Sequence, residues 1–109
     1  MSEEVDEEDR PCPPPPGFAD GELRDMRIVN RKGLHARATA KFVQCVDRFD
    51  AEINVTRCGE TVGGDSIMGI LTLGAGLGAT ITVGARGAQA REALDALEAL
   101  IANRFGEEE

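Results

Sequence analysis

Hydrophobic positions along the chain switch between two spacings, and the switches mark seven elements. From Leu23 onward, Met26 and Ile28 alternate with Arg27 and Val29, which predicts a first strand ending near Asn30. Arg31-Lys32-Gly33 reads as a turn. Between Ala36 and Arg48 the spacing becomes helical: Thr39, Phe42, Val43 and Val46 share one face, with Phe49 following. Alternation returns from Ala51 to Arg57 through Ile53 and Val55. Cys58-Gly59-Glu60 then predicts a tight turn into a short strand from Thr61 to Gly63, making a hairpin. Ser66 is a natural N-cap for a short helix beginning at Ile67 and ending before Gly74. Gly74, Gly76 and Gly78 interrupt the chain. A strand from Thr80 to Ala85 leads through Gly87 into a last helix from about Ala88 to Asn103, whose inner face is Ala90, Ala93, Leu94, Leu97, Leu100 and Ile101.

The order βαββαβα implies an α+β fold in which a largely antiparallel sheet is covered on one side by helices. A split βαβ ferredoxin-like arrangement shares the first six elements, so order alone leaves the strand neighbours open.

Residues 1–22 follow neither spacing. They are acidic and carry Pro13-Pro14-Pro15-Pro16-Gly17, a composition that cannot bury enough apolar surface to offset its ordering entropy. The expected organisation is a mobile tail over 1–22, a domain over 23–105 and an acidic end over 106–109. Polyproline can occupy aromatic grooves, but a spacer is its commoner role. With 109 residues there is room for one small domain, and without Trp or Tyr its core rests on aliphatic side chains and four Phe.

Charge is unevenly distributed. Of the formal net −8, most falls in Met1 to Asp25, with nine acidic side chains against two basic; the remainder has ten basic against eleven acidic. Arg27, Arg31, Lys32, Arg37, Lys41 and Arg48 face only Asp47 between residues 27 and 48. That stretch suits an acidic partner or a phosphate. Cys12, Cys45 and Cys58 have no CxxC or metal-ligand spacing, so neither a disulfide framework nor a zinc site is expected, and a reducing cytoplasm fits best. No apolar run approaches the roughly 20 residues of a membrane span, and the N-terminus lacks signal-peptide character. Neither membrane insertion nor a nucleic-acid partner is expected.

His35 is the single histidine, at the boundary between the Arg31-Lys32-Gly33 turn and the first helix. A helix N-terminus offers unpaired N–H groups and partial positive charge, a cradle for a phosphoryl group, and neutral imidazole is a competent nucleophile near neutral pH. Arg37 could neutralise the added charge, although an arginine in a first helical turn opposes the helix dipole. Taken alone, His35 reads first as a cap and Arg37 as a solvated side chain. No metal-ligand cluster and no hydrolytic constellation is apparent, and no cofactor is expected. Gly74-Ala75-Gly76-Leu77-Gly78-Ala79 precedes a strand where a dinucleotide loop precedes a helix, so it reads as a structural turn.

Two segments carry a resemblance: Gly33-Leu34-His35-Ala36-Arg37 and Asp65-Ser66-Ile67-Met68-Gly69-Ile70-Leu71-Thr72-Leu73-Gly74. Together they resemble the two signature regions of HPr, the histidine-containing phosphocarrier of the bacterial phosphotransferase system, and the similarity runs from about Arg24 to Asn103. The resemblance implies an open-faced β-sandwich of four antiparallel strands covered on one face by three helices. It implies a carrier, not a free-standing enzyme: His35 would take a phosphoryl group on Nδ1 from phosphorylated enzyme I, assisted by Arg37, and pass it to a IIA-type acceptor. Ser66 corresponds to the serine that HPr kinase/phosphorylase modifies in many relatives, and a regulatory binding module switched at Ser66 is the alternative. Ile67, Met68, Leu71 and Lys41 are the expected partner-binding residues, with Ile67 and Met68 at least partly exposed and Ile70 and Leu73 supplying the buried side. The chain departs from the family at Ala38, where proline is usual, and at Gly69 and Leu71, where sugar-transport members carry polar residues. Nitrogen-type regulation therefore stands beside sugar transport.

Overall fold

The structure is a computed structural model that describes residues 21–107. The tail expected over 1–22 lies almost wholly outside the described residues. Seven elements follow in the expected order: β1 (Glu22–Arg27), α1 (Ala36–Val46), β2 (Glu52–Arg57), β3 (Glu60–Gly63), α2 (Ile67–Thr72), β4 (Thr80–Arg86) and α3 (Ala90–Ala102). A single 3-10 turn, Arg104–Gly106, comes after them.

The strand neighbours that element order left open are β1-β4-β2-β3, every pair antiparallel. Because side chains alternate across a strand, register decides which residues meet. Met26 lies opposite Ile81, Val55 opposite Val83 and Ile53 opposite Ala85, and all six are buried on one face of the sheet. The helices cover that face. Ala38, Phe42, Cys45 and Val46 come down from α1, Ile70 and Leu73 from the second helical segment, and Ala93, Leu94, Leu97 and Ile101 from α3. The alternate positions Leu23, Asp25 and Arg27 are exposed. Charged pairs fasten β1 to α3: Arg24 to Asp95 at 2.7 Å and Glu98 at 3.1 Å, and Glu22 to Arg91 at 3.0 Å.

Several local expectations shift. β1 ends at Arg27, although Ile28 continues the ladder through bonds with Ala79 and Gly78. On α1 the buried stripe is Ala38, Thr39, Phe42, Cys45 and Val46, while Val43 is only half-buried. On α3, Ala90 and Leu100 lie at the margin of the core. The hairpin turn consists of two residues, Cys58 (φ 41°) and Gly59 (φ 90°), between the paired Arg57 and Glu60. Two positive φ values are what a twisted two-residue hairpin requires.

The cysteine expectation needs correction. Cys45 is a free, buried thiol packed as a small apolar side chain. Cys58, by contrast, is disulfide-bonded.

Candidate functional site at the start of the first helix

The segment leading into α1 is fixed from three directions. Gly33 turns the chain at φ 68°, and a Cβ there would come within 2.6 Å of the Ala75 carbonyl oxygen and the Gly76 Cα. Only glycine fits both the left-handed backbone and the close approach of the α2–β4 loop. Leu34 N–H then donates to the Ala75 carbonyl at 2.9 Å, and its side chain enters the core. Beneath the turn, fully buried Asn30 donates from Nδ2 to the Gly33 carbonyl at 2.8 Å.

His35 emerges from this scaffold as the N-cap of α1, with extended backbone (φ −74°, ψ 178°). Its Nδ1 accepts the Arg37 backbone N–H at 3.3 Å, while its carbonyl accepts Thr39 N–H at 2.9 Å. Thr39 Oγ1 donates to the Leu34 carbonyl at 3.2 Å, securing the same turn from inside. The first turn of α1 holds no acidic residue. No side chain of that turn therefore offsets the partial positive charge of the helix start, a setting suited to an anion. The imidazole is 27% exposed, and the Arg37 guanidinium lies on the surface.

The other ring nitrogen has a partner that sequence reasoning missed. His35 Nε2 is hydrogen-bonded to Glu107 Oε2, and Glu107 Oε1 accepts Asn30 Nδ2 at 3.0 Å. The Asn30 amide, followed by the His35 ring, holds the Glu107 carboxyl below the usual carboxylate range. Glu107 arrives there because the chain reverses after α3. Arg104 and Phe105 both adopt φ 56°, Phe105 is buried, and Lys41 Nζ donates to its carbonyl oxygen. Lys41, expected to serve partner binding, thus secures the C-terminal turn against α1. Nothing local in the sequence marks Glu107 out from its acidic neighbours; a Phe beyond the last helix was the one available hint that the chain folds back.

Ser66 caps α2 as expected, its Oγ accepting Gly69 N–H at 3.0 Å. Ile67 and Met68 are 41% and 71% exposed, Leu71 is half-buried, and Ile70 and Leu73 are buried. Gly69 permits β3 to lie close, since a Cβ there would stand 2.9 Å from Val62 Cβ. The Leu73 carbonyl just beyond α2 accepts Arg57 Nη1 at 2.8 Å. α2 packs against α1, and the Leu34–Ala75 bond ties the loop after α2 to the turn before His35. Among the described residues no cluster of three or more His, Cys, Asp or Glu could hold a metal, and no helix is long and apolar enough to cross a membrane.

An open sheet with helices on one face, and a partly exposed histidine as the cap of the first helix, define a small α+β protein with an accessible imidazole at a helix start. Comparison with known proteins identifies it further. The family described as PTS HPr component phosphorylation site matches residues 23–103. The chain is 50% identical over 86 residues to the phosphocarrier protein HPr of Cupriavidus necator, covering 79% of this chain and 97% of that one. Against the Pseudomonas aeruginosa phosphocarrier protein HPr it is 45% identical over 86 residues, covering 78% and 96%. Among solved structures it resembles HPr-C-His from Thermoanaerobacter tengcongensis (TM-score 0.77, 40% identity, 81% and 99% covered). It also resembles a phosphocarrier protein HPr from Bacillus anthracis (TM-score 0.72, 41% identity, 74% and 96% covered). The chain belongs to the HPr family of phosphocarrier proteins of the phosphotransferase system; such a protein is a carrier, not an enzyme.

Proposed function

We propose that this protein accepts a phosphoryl group from phosphorylated enzyme I on His35 Nδ1 and passes it to a IIA-type acceptor in the cytoplasm. The observation that carries this reading is the N-cap position of His35. Its Nδ1 already faces the Arg37 amide, so a phosphoryl group on that atom would meet the amides of the first turn. The exposed Arg37 guanidinium would neutralise the added charge. The exposed Ile67 and Met68 supply a small apolar patch for two successive partners, with half-buried Leu71 at its margin.

Regulation at Ser66 is a second reading, favoured by one observation. The serine is a cap at a partly exposed helix start beside Ile67 and Met68, where a phosphate would sit well with the dipole yet disturb docking. HPr kinase/phosphorylase would be the modifying partner.

Incubation with enzyme I and phosphoenolpyruvate tests the principal reading. The parent should acquire an acid-labile, base-stable label, and His35→Ala should acquire none while keeping its fold. Labelling of His35→Ala would place the acceptor elsewhere.

A further inference from the structure

The geometry points to Glu107 as a positioning residue that holds the proton on His35 Nε2, keeping the Nδ1 lone pair directed at the incoming phosphorus. This rests on His35 being the phosphoryl acceptor.

A neutral imidazole carries one proton, and the hydrogen bond made by one nitrogen decides whether the other is donor or acceptor. Both contacts of the His35 ring require the same tautomer: Nδ1 accepts the Arg37 amide, and Nε2 faces a carboxylate that can only accept. They are unequal in durability. The Arg37 bond is long, at 3.3 Å, and involves the very lone pair that must attack, so it is given up when phosphorus approaches. The Glu107 contact lies on the far nitrogen and can persist throughout.

Glu107 is itself oriented. Asn30 is fully buried and fixed to Gly33, and its Nδ2 occupies Glu107 Oε1, which turns Oε2 toward the ring. The Lys41 bond to the Phe105 carbonyl and the buried Phe105 ring set the backbone two residues earlier. Asn30, Glu107 and His35 thus form a relay in which a buried amide aims a carboxylate and the carboxylate aims an imidazole.

In the transfer step the Nδ1 lone pair forms the new N–P bond while the donor's bond to phosphorus breaks, its electron pair remaining on the donor. The ring becomes a cation with its Nε2 proton in place, and the Glu107 carboxylate lies against that proton. On donation to the next acceptor the N–P pair returns to Nδ1 and the ring is again neutral with the proton on Nε2. No proton has to move in either direction.

Glutamine at 107 is the informative substitution, because an amide has one accepting oxygen where the carboxylate has two. If that oxygen serves Asn30, the NH2 group faces His35 Nε2 and favours the proton on Nδ1, the wrong tautomer. With a single histidine in the chain, nitrogen-15 spectra of the imidazole are unambiguous. Recorded where the ring is neutral and without any partner protein, they should show the Nε2–H form dominant in the parent. In Glu107→Gln the ratio of the Nε2–H to the Nδ1–H form should fall about tenfold or more, and the rate of labelling by enzyme I should fall with it. Unchanged ring signals in Glu107→Gln overturn the proposal, as does a shifted tautomer with an unchanged labelling rate. A parent that takes no label at all is a separate failure, that of the carrier reading.

Discussion

Lys41 Nζ donates to the carbonyl oxygen of Phe105, 64 residues away in sequence, and this bond joins the middle of α1 to the turn that carries Glu107 to His35. The turn is locally unfavourable, since neither Arg104 nor Phe105 is glycine and each holds φ 56° at about 1–2 kcal/mol. Burial of the Phe105 side chain, worth about 3 kcal/mol, and the Lys41 bond, worth about 1 kcal/mol, offset that cost.

Phe105→Ala should therefore lose about 3–5 kcal/mol of unfolding free energy by urea denaturation. It should also free the C-terminal turn, so that amide exchange quickens at Gly106 and Glu107 before it does in β4. A stability within about 1 kcal/mol of the parent would mean that Phe105 does not anchor this end.

Gly33 offers a test at the other wall of the site. An alanine there must hold φ near 68° and push back the Ala75 carbonyl and Gly76, with backbone on both sides of the contact. The expected cost is about 2–3 kcal/mol. Crosspeaks of Leu34 and Ala75 should move together in the amide spectrum, and a variant as stable as the parent would contradict the close approach.

Ser66→Ala removes the side-chain acceptor of Gly69 N–H and should cost about 1 kcal/mol. Ser66→Asp keeps a cap and adds charge at the helix start, so its stability should stay within about 1 kcal/mol of the parent. At low ionic strength the Asp variant should receive phosphate from enzyme I more slowly than the Ala variant. Equal rates would remove Ser66 from any regulatory account.

Acid should reveal Glu107. Its carboxyl lies lower in the folded protein than its ordinary value of 4.5, first through the Asn30 bond and then through His35. A carboxyl lowered by folding adds stability above its unfolded pKa, and that contribution disappears as pH falls through the folded pKa. Below about pH 5 the parent should lose stability more steeply than Glu107→Gln, which has no proton to take up there. Parallel acid limbs in urea titrations would show that the carboxylate is not held in the folded state.

Much of this was legible in the residues. The alternation of Met26 with Ile28 and of Ile53 with Val55, and the helical spacing of Leu94, Leu97 and Ile101, follow from side-chain direction alone and marked the sheet and helix faces correctly. Ser66 and His35 could be placed as caps because capping is local chemistry. The strand order was not legible, since two topologies share one element order until the register of β4 between β1 and β2 is known. Glu107 and Asn30 escaped for the same reason. Their roles depend on a chain reversal at non-glycine residues, and positive φ at Arg104 and Phe105 contradicts what either residue prefers alone.

The His35 ring caps α1 with the same nitrogen proposed to carry phosphate. When phosphorus takes that lone pair, phosphoryl oxygens stand where the Arg37 amide can still donate to them, so the helix end stays satisfied in both states. The empty and the loaded protein would then have almost the same shape and differ by about one net charge on one face, the phosphoryl oxygens outweighing the positive ring. A donor that must release the loaded form, and an acceptor that must prefer it, have little contour to tell them apart. They would sort the two by potential, so that raising ionic strength should blunt the discrimination between the empty and the loaded form.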